Sequence, residues 1–215
     1  MFYTTEKNDH GLPHDPFKAI VAPRPIGWIT TMSAAGAINL APYSYFNGVH
    51  SKPPLVMFAS ESRKDSLAFV EETKEFVCNL ATFALKDQMN QTSAPYPRGV
   101  DEMRAAGLTP APCRLIKPPR VAEAPCALEC RYLQTVPLND VNGRPLDGFV
   151  VIGQVVGVHI DERFIRNGLL DTAAMQPIAR GGYHDYSVLT ESFTMRRPAS
   201  VADVKATALE DSKIG

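Results

Sequence analysis

Three short polar clusters between Pro23 and Ser66 hold the residues best suited to chemistry. They are Arg24-Pro25-Ile26-Gly27-Trp28-Ile29-Thr30-Thr31, then Asn39-Leu40-Ala41-Pro42-Tyr43-Ser44, then Ser60-Glu61-Ser62-Arg63-Lys64-Asp65-Ser66. Each closes an apolar segment, and together they suit a flat aromatic ligand that carries a phosphate. The third cluster is the phosphate end: backbone N–H groups at a helix start point outward, the dipole favours an anion, and Ser60, Arg63, Lys64 and Ser66 add donors. The same segment also reads as a solvated loop that caps a helix. Asn39, Ala41, Pro42 and Ser44 combine amide and hydroxyl groups with small side chains, as the wall of a planar heterocycle requires, or else they form a turn. Trp28, the only tryptophan, either fills the core or lines a ligand edge. Thr30 and Thr31 face opposite sides of one strand, so one hydroxyl can reach a ligand. Gly27 would admit a ring system closely.

No other constellation competes. There is no Ser-His-Asp or paired-carboxylate set. The five histidines, His10, His14, His50, His159 and His184, lack ligand spacing and read as structural. Cys78, Cys113, Cys126 and Cys130 form no CxxC pair, so no zinc signature is present and no metal is expected. Along an extended strand Cys126 and Cys130 would stand ~13 Å apart, beyond the ~4.4 to 6.8 Å a disulfide spans. Buried, unpaired thiols are the expectation.

The chain has 215 residues with Lys+Arg 22 against Asp+Glu 23 and a net charge of −1. That balance, without a basic block, excludes an electrostatic footprint for nucleic acid or an anionic membrane. The longest apolar stretches, near Phe149 to Ile152 and Val155 to Val158, fall far short of the ~20 residues of a membrane helix, and the N-terminus has no secretory pattern. A soluble, cytoplasmic protein with a small-molecule partner is expected. At roughly 100 to 200 residues per domain, one domain over residues 1–198 with a tail at 199–215 is expected.

The clusters must be positioned by a mainly β scaffold with a few helices. Gly27 to Met32, the turn Ser33-Ala34-Ala35-Gly36 and Ile38 to Ala41 predict a hairpin. The unbroken run Leu55 to Ala59 predicts a strand buried on both faces. Asp65 is the expected N-cap of a short helix through Glu72, Phe76 to Ala81 returns to strand, and Thr82 to Gln91 reads as a second helix ended by the proline-broken loop Ser93 to Gly99. Cys126 to Val136 and Phe149 to Ile160 are β-rich and meet through Asn142-Gly143, so they should pair antiparallel. The 18 prolines suit a turn-rich barrel.

The order of the clusters, continued by Ser51-Lys52-Pro53-Pro54, Glu129-Cys130, Gly153-Gln154-Val155-Val156 with His159, and Arg180-Gly181-Gly182-Tyr183, resembles the flavin reductase-like family of FMN-binding split-barrel proteins, the flavoredoxin-type branch in particular. The likeness spans roughly Phe17 to Pro198. It implies a closed, antiparallel, Greek-key-like split barrel, a homodimer, and FMN bound non-covalently near the subunit interface. By position, Trp28, Ile29, Thr30 and Thr31 would lie along the isoalloxazine. Asn39, Ala41, Pro42 and Ser44 would contact ring or ribityl atoms, and Ala59, Ser60, Arg63, Lys64 and Ser66 would hold the phosphate end. No catalytic side chain is demanded, because the cofactor carries the reaction.

Two activities follow from the resemblance. One is an NAD(P)H-dependent flavin reductase that passes hydride from NAD(P)H to flavin N5. The other is an FMN-binding electron carrier with a protein redox partner and little NAD(P)H turnover, kept open because no Gly-x-Gly-x-x-Gly nucleotide fingerprint is present.

Overall fold

The computed structural model describes residues 1–195 and 197–200. Most of the tail expected at 199–215 therefore lies outside the described residues. Seven strands form one antiparallel sheet: β1 (Gly27–Met32), β2 (Ile38–Tyr43), β3 (Phe46–Ser51), β4 (Pro54–Ser60), β5 (Glu75–Leu80), β6 (Cys126–Asn139) and β7 (Pro145–Ile160). Their order across the sheet is β2-β1-β5-β6-β7-β4-β3. The main helices are α1 (Asp65–Thr73), α2 (Lys86–Gln91) and α3 (Glu102–Ala105). The mainly β, antiparallel split barrel expected from the sequence is the fold observed.

The first hairpin forms as its alternation predicts, with Gly27 opposite Tyr43 and Met32 opposite Ile38. β6 and β7 pair antiparallel across Asp140 to Arg144 and run beyond their expected ends. Pro137 and Asp147-Gly148 break the apolar alternation that marks a strand, yet a register shift between Pro145 and Phe149 absorbs the irregularity and pairing continues.

β1 is flanked by β2 and β5 and covered on both faces, which buries successive side chains into different cores. Trp28 joins Ile26, Leu40, Met89 and Met103 on one side. Ile29 joins Phe58, Leu67, Val70 and Phe76 on the other. β4 departs from expectation: Val56, Phe58 and Ser60 are buried, but Leu55, Met57 and Ala59 are only half-covered. The run is apolar throughout, but in the single chain only one of its faces meets the core.

Asp65 is not the N-cap of α1. Lys64 takes that place with extended backbone and no side-chain cap, and the Asp65 carboxylate, one residue further on, accepts from the Arg98 guanidinium at 2.7 Å. A cation on the loop between α2 and α3 has drawn the carboxylate away from the helix N–H groups. Gly27 also admits a ring, but the chain's own: a Cβ there would stand 2.5 Å from the Phe46 ring.

Arg24 explains the start of the first motif. Its buried guanidinium donates to the carbonyls of Lys18 at 2.6 Å, Val21, and Gly181 at 3.0 Å. Charge-assisted bonds to carbonyls hold the segment before β1 against the Gly181 turn, and so fix where β1 begins.

Candidate ligand-binding site

A cavity of about 400 Å³ opens between β2, the start of α1, and the loop that leads from α2 to α3. Asn39, Ala41, Pro42 and Tyr43 form its β2 wall, Lys64, Asp65 and Ser66 its helix-start wall, and Tyr96, Arg98 and Glu102 stand opposite. Five of the residues expected at a ligand, Asn39, Ala41, Pro42, Lys64 and Ser66, thus meet in one concavity although 27 residues separate Asn39 from Ser66.

Several others are brought close but faced inward. Trp28, Ile29, Thr30 and Thr31 have no exposed surface in the chain. The Trp28 indole donates from Nε1 to Thr92 Oγ1 at 2.9 Å, which anchors the end of α2. Thr30 Oγ1 accepts from Asn79 Nδ2 at 2.9 Å, so both threonine hydroxyls serve the interior. Their strand is central, and no period-2 pattern reveals that both its faces are covered.

The polar residues of the phosphate end also divide. Ser66 Oγ accepts from Asn39 Nδ2 at 2.8 Å, fastening α1 to β2, and Ser60 Oγ donates to the Ser62 carbonyl at 2.7 Å, shaping the loop. Both serines are buried. Arg63 is paired with Glu71 and its guanidinium lies over the Phe149 ring at 5.5 Å. Among the described residues Lys64 has no ion-pair partner and lines the cavity, so it is the cation available to a ligand. Ser44 and the half-covered Ala59 lie outside the cavity wall, Ser44 Oγ accepting weakly from Arg24 Nε at 3.5 Å.

The site contains an observation that favours a polar ligand. Among the described residues the buried Tyr43 hydroxyl meets no hydrogen-bond partner in good geometry, with the Ser66 and Ser60 hydroxyls its polar neighbours, and a buried polar atom left so calls for an explanation. Burial pushes its pKa up, against the neighbouring Ser66 and Ser60 hydroxyls. Replacing Tyr43 with Phe is expected to stabilise the ligand-free protein by roughly 1 kcal/mol, since an unsatisfied group is removed without loss of volume. Urea unfolding of the two proteins checks this, and a loss of stability would mean that the hydroxyl has a partner after all.

Glu102 adds a titratable group. It is buried, and its Oε2 accepts the Leu40 N–H at 3.0 Å. Burial raises its pKa, the backbone N–H bonds lower it, and Asp101 and Asp65 push it up again, leaving it above the ordinary carboxylate value. Tyr43, Tyr96, Arg98 and Glu102 were not singled out as site residues from the sequence. The only local signal was the proline-broken loop at Ser93 to Gly99, which the Arg98–Asp65 pair folds back onto α1.

The four cysteines are free thiols. Burial, followed by the Glu129 charge, pushes Cys113 up to about 12, so it is a poor nucleophile. Among the described residues no helix is long and apolar enough to cross a membrane.

Residues 21–177 match the family described as flavin reductase like domain. The solved structure of nitrilotriacetate monooxygenase component B from Bacillus cereus is 30% identical with a TM-score of 0.81, covering 91% of this chain and 98% of that one. The 2-nitrobenzoate 2-nitroreductase NbaA of Pseudomonas fluorescens is 25% identical with a TM-score of 0.80, covering 93% and 97%. Flavoredoxin of Desulfovibrio vulgaris (Miyazaki F), at 19% identity and a TM-score of 0.71 over 84% and 93%, shares the fold. The family match runs through all seven strands of the sheet and the helix start that lines the cavity, and the chain belongs to the flavin reductase-like domain family of split-barrel proteins.

Proposed function

We propose that the protein is an oxidoreductase that binds FMN non-covalently and acts as an NAD(P)H-dependent flavin reductase. Bound FMN supplies a ring that accepts hydride from NAD(P)H at N5 and releases the electrons singly or in pairs. The observation that carries this reading is the single cavity that joins the small-residue wall of β2 to the start of α1, with the orphaned Tyr43 hydroxyl behind it.

In this reading Asn39, Ala41 and Pro42 face the ring, while Ser44 stands outside the cavity wall and meets Arg24. Lys64 and the unpaired N–H groups at the start of α1 hold the phosphate. Ser60 and Ser66 act from beneath by fixing the loop and helix that carry those groups, with Ala59 and Arg63 flanking them. Trp28, Ile29, Thr30 and Thr31 form the buried support that keeps β2 and the α2 end in place. Binding energy therefore comes from positioned, already ordered groups, which limits the entropy lost on association.

Glu102 makes binding pH-dependent. Its raised pKa means that the proton is held more tightly in the folded chain, and ionisation on raising the pH brings a negative charge to a cavity proposed to take an anion. FMN affinity is expected to rise as pH falls through this titration, and Glu102→Gln should remove that component. Parallel FMN titrations of both proteins across pH check it; identical pH profiles would exclude Glu102.

The visible spectrum of the purified protein, followed by anaerobic addition of NADH and NADPH, tests the function. Flavin bands that bleach rapidly support the reductase. A colourless protein that takes up no added FMN would refute it. Bands that persist favour the second reading, an FMN-binding electron carrier with a protein redox partner. The likeness to one component of a monooxygenase supports that reading.

A cytoplasmic homodimer with FMN near the subunit interface completes the proposal. Exposed Leu133, Val136, Leu138 and Leu146 on the β6–β7 arms offer an apolar surface for the second copy.

A further inference from the structure

Away from the ligand cavity, the fold gathers Cys113, Glu129 and His159, three residues that no sequence spacing connects. Their sulfur, carboxylate oxygen and ring nitrogen lie within 4.8 Å of one another. Glu129 projects from β6 and is almost wholly buried. Its register partner on β7 is Gly157, where a Cβ would come within 3.3 Å of the Glu129 carboxyl carbon. The glycine at this irregular point of the strand leaves the carboxylate room to lie against the sheet.

The donors are partly committed. Glu129 Oε1 accepts the Arg114 N–H at 2.8 Å and stands 2.6 Å from His159 Nε2, while Oε2 accepts the Leu115 N–H at 2.7 Å. A carboxylate oxygen has two lone pairs, so Oε2 retains one. A cavity of about 320 Å³ opens on Glu129 and His159 and shares no lining residue with the ligand cavity. Arg120, whose charge acts on Cys113, keeps a buried Nε–H with no hydrogen-bond partner.

We propose that Cys113, Glu129 and His159 form a zinc site, binding through Sγ, a carboxylate oxygen and Nε2, with a water from the adjoining cavity as fourth ligand. Zinc takes sulfur, nitrogen and oxygen ligands at ~2.0 to 2.3 Å in a tetrahedron, which sets neighbouring ligand atoms roughly 3.3 to 3.8 Å apart. The separations in the cluster, none above 4.8 Å, must therefore close by at most about 1 Å, and the His159 ring must turn from Oε1 towards the metal. Cys113 releases its proton to solvent. Its thiolate and the Glu129 carboxylate then balance the two charges of the ion. The mixed sulfur, nitrogen and oxygen set favours zinc over magnesium or calcium, which take oxygen ligands. The ion would tie the segment at Cys113 to β6 and β7, and the Arg114 and Leu115 N–H bonds orient its carboxylate ligand.

The test uses the full chain, reduced and stripped with a chelator. Zn²⁺ is titrated in competition with a chromophoric chelator, and Co²⁺ is followed by its absorption. One equivalent of zinc is expected to bind, Co²⁺ is expected to show a thiolate-to-cobalt charge-transfer band, and zinc should raise the melting temperature. Cys113→Ala and His159→Ala should each weaken zinc binding by at least roughly tenfold and abolish the cobalt band or shift it. Circular dichroism confirms folding, and Cys113→Ser serves in place of a variant that does not fold. Failure of the wild-type protein to compete with the chelator overturns the proposal. So does wild-type affinity in the Cys113 variant, which would assign the metal to Cys78, Cys126 or Cys130.

Discussion

Glu129→Ala is expected to lower the unfolding free energy by about 3 kcal/mol, measured by urea denaturation with a chelator present so that metal makes no contribution. The carboxylate accepts two backbone N–H groups and faces His159, and truncation strands all of them. Removing one partner of a buried charged network costs about 3 to 5 kcal/mol, chiefly because the groups left behind lose their solvation without compensation. The lower end applies here because a cavity lies beside Glu129 and water can reach part of what is left. Burial alone would push this carboxyl up, but the Arg114 N–H, His159 and the Leu115 N–H outweigh it and hold the pKa below the ordinary value, so it is the carboxylate that does the binding. For a chain of this size the melting temperature should fall by roughly 6 to 12 °C. Glu129→Gln should not restore the loss in full, since an amide presents only one acceptor oxygen to two N–H donors. A change under about 1 kcal/mol in Glu129→Ala would show that the loop at Arg114 is not held by this residue.

Lys64→Ala is expected to weaken FMN binding by roughly ten- to a hundredfold, the equivalent of ~1.5 to 3 kcal/mol for a charged hydrogen bond to phosphate. Arg63→Ala should cost distinctly less. The sequence alone treats these neighbours as equal cations, but the structure separates them: Arg63 is committed to Glu71 and to the Phe149 ring, while Lys64 caps α1 and lines the cavity. A ligand must first draw Arg63 from its carboxylate, which offsets most of what the new contact would contribute. Fluorescence titration of the apoprotein with FMN gives both affinities. Unchanged affinity in Lys64→Ala would move the phosphate elsewhere, and a larger effect in Arg63→Ala would reverse the assignment. Because Lys64 has no side-chain capping bond, its loss should leave the stability of the ligand-free chain nearly unaltered.

The hairpin, the long antiparallel pair and the helix after Lys64 were legible because each rests on local chemistry. Alternation of apolar residues marks β1 and β2, Asn142-Gly143 marks the turn between β6 and β7, and an acidic first turn marks α1. The ends of β6 and β7 were not legible, since register irregularities around Pro137 and Gly148 are resolved by the partner strand. Asp65 as a cap failed for the same kind of reason: its competitor, Arg98, is 33 residues away.

The ligand site divides along the same line. From the sequence it was clear that Asn39 to Ser44 and Ser60 to Ser66 belong together. Which of those side chains reach a ligand was not, because exposure depends on what the rest of the chain lays over them. Ser60 and Ser66 are turned inward, Trp28 and Thr30 are claimed by Thr92 and Asn79, and the loop with Tyr96 and Arg98 is folded across.

By itself the sequence determined the family, the strand-rich scaffold and the position of the helix start that lines the cavity, because residue type, spacing and turn chemistry are local properties. Only the tertiary structure decided that Lys64 rather than Arg63 faces the cavity, that Tyr43 keeps an unpartnered hydroxyl, and that Cys113, Glu129 and His159 meet. Those outcomes depend on which distant segments compete for each polar atom once β1 is covered on both faces, and burial leaves each such atom one place to go.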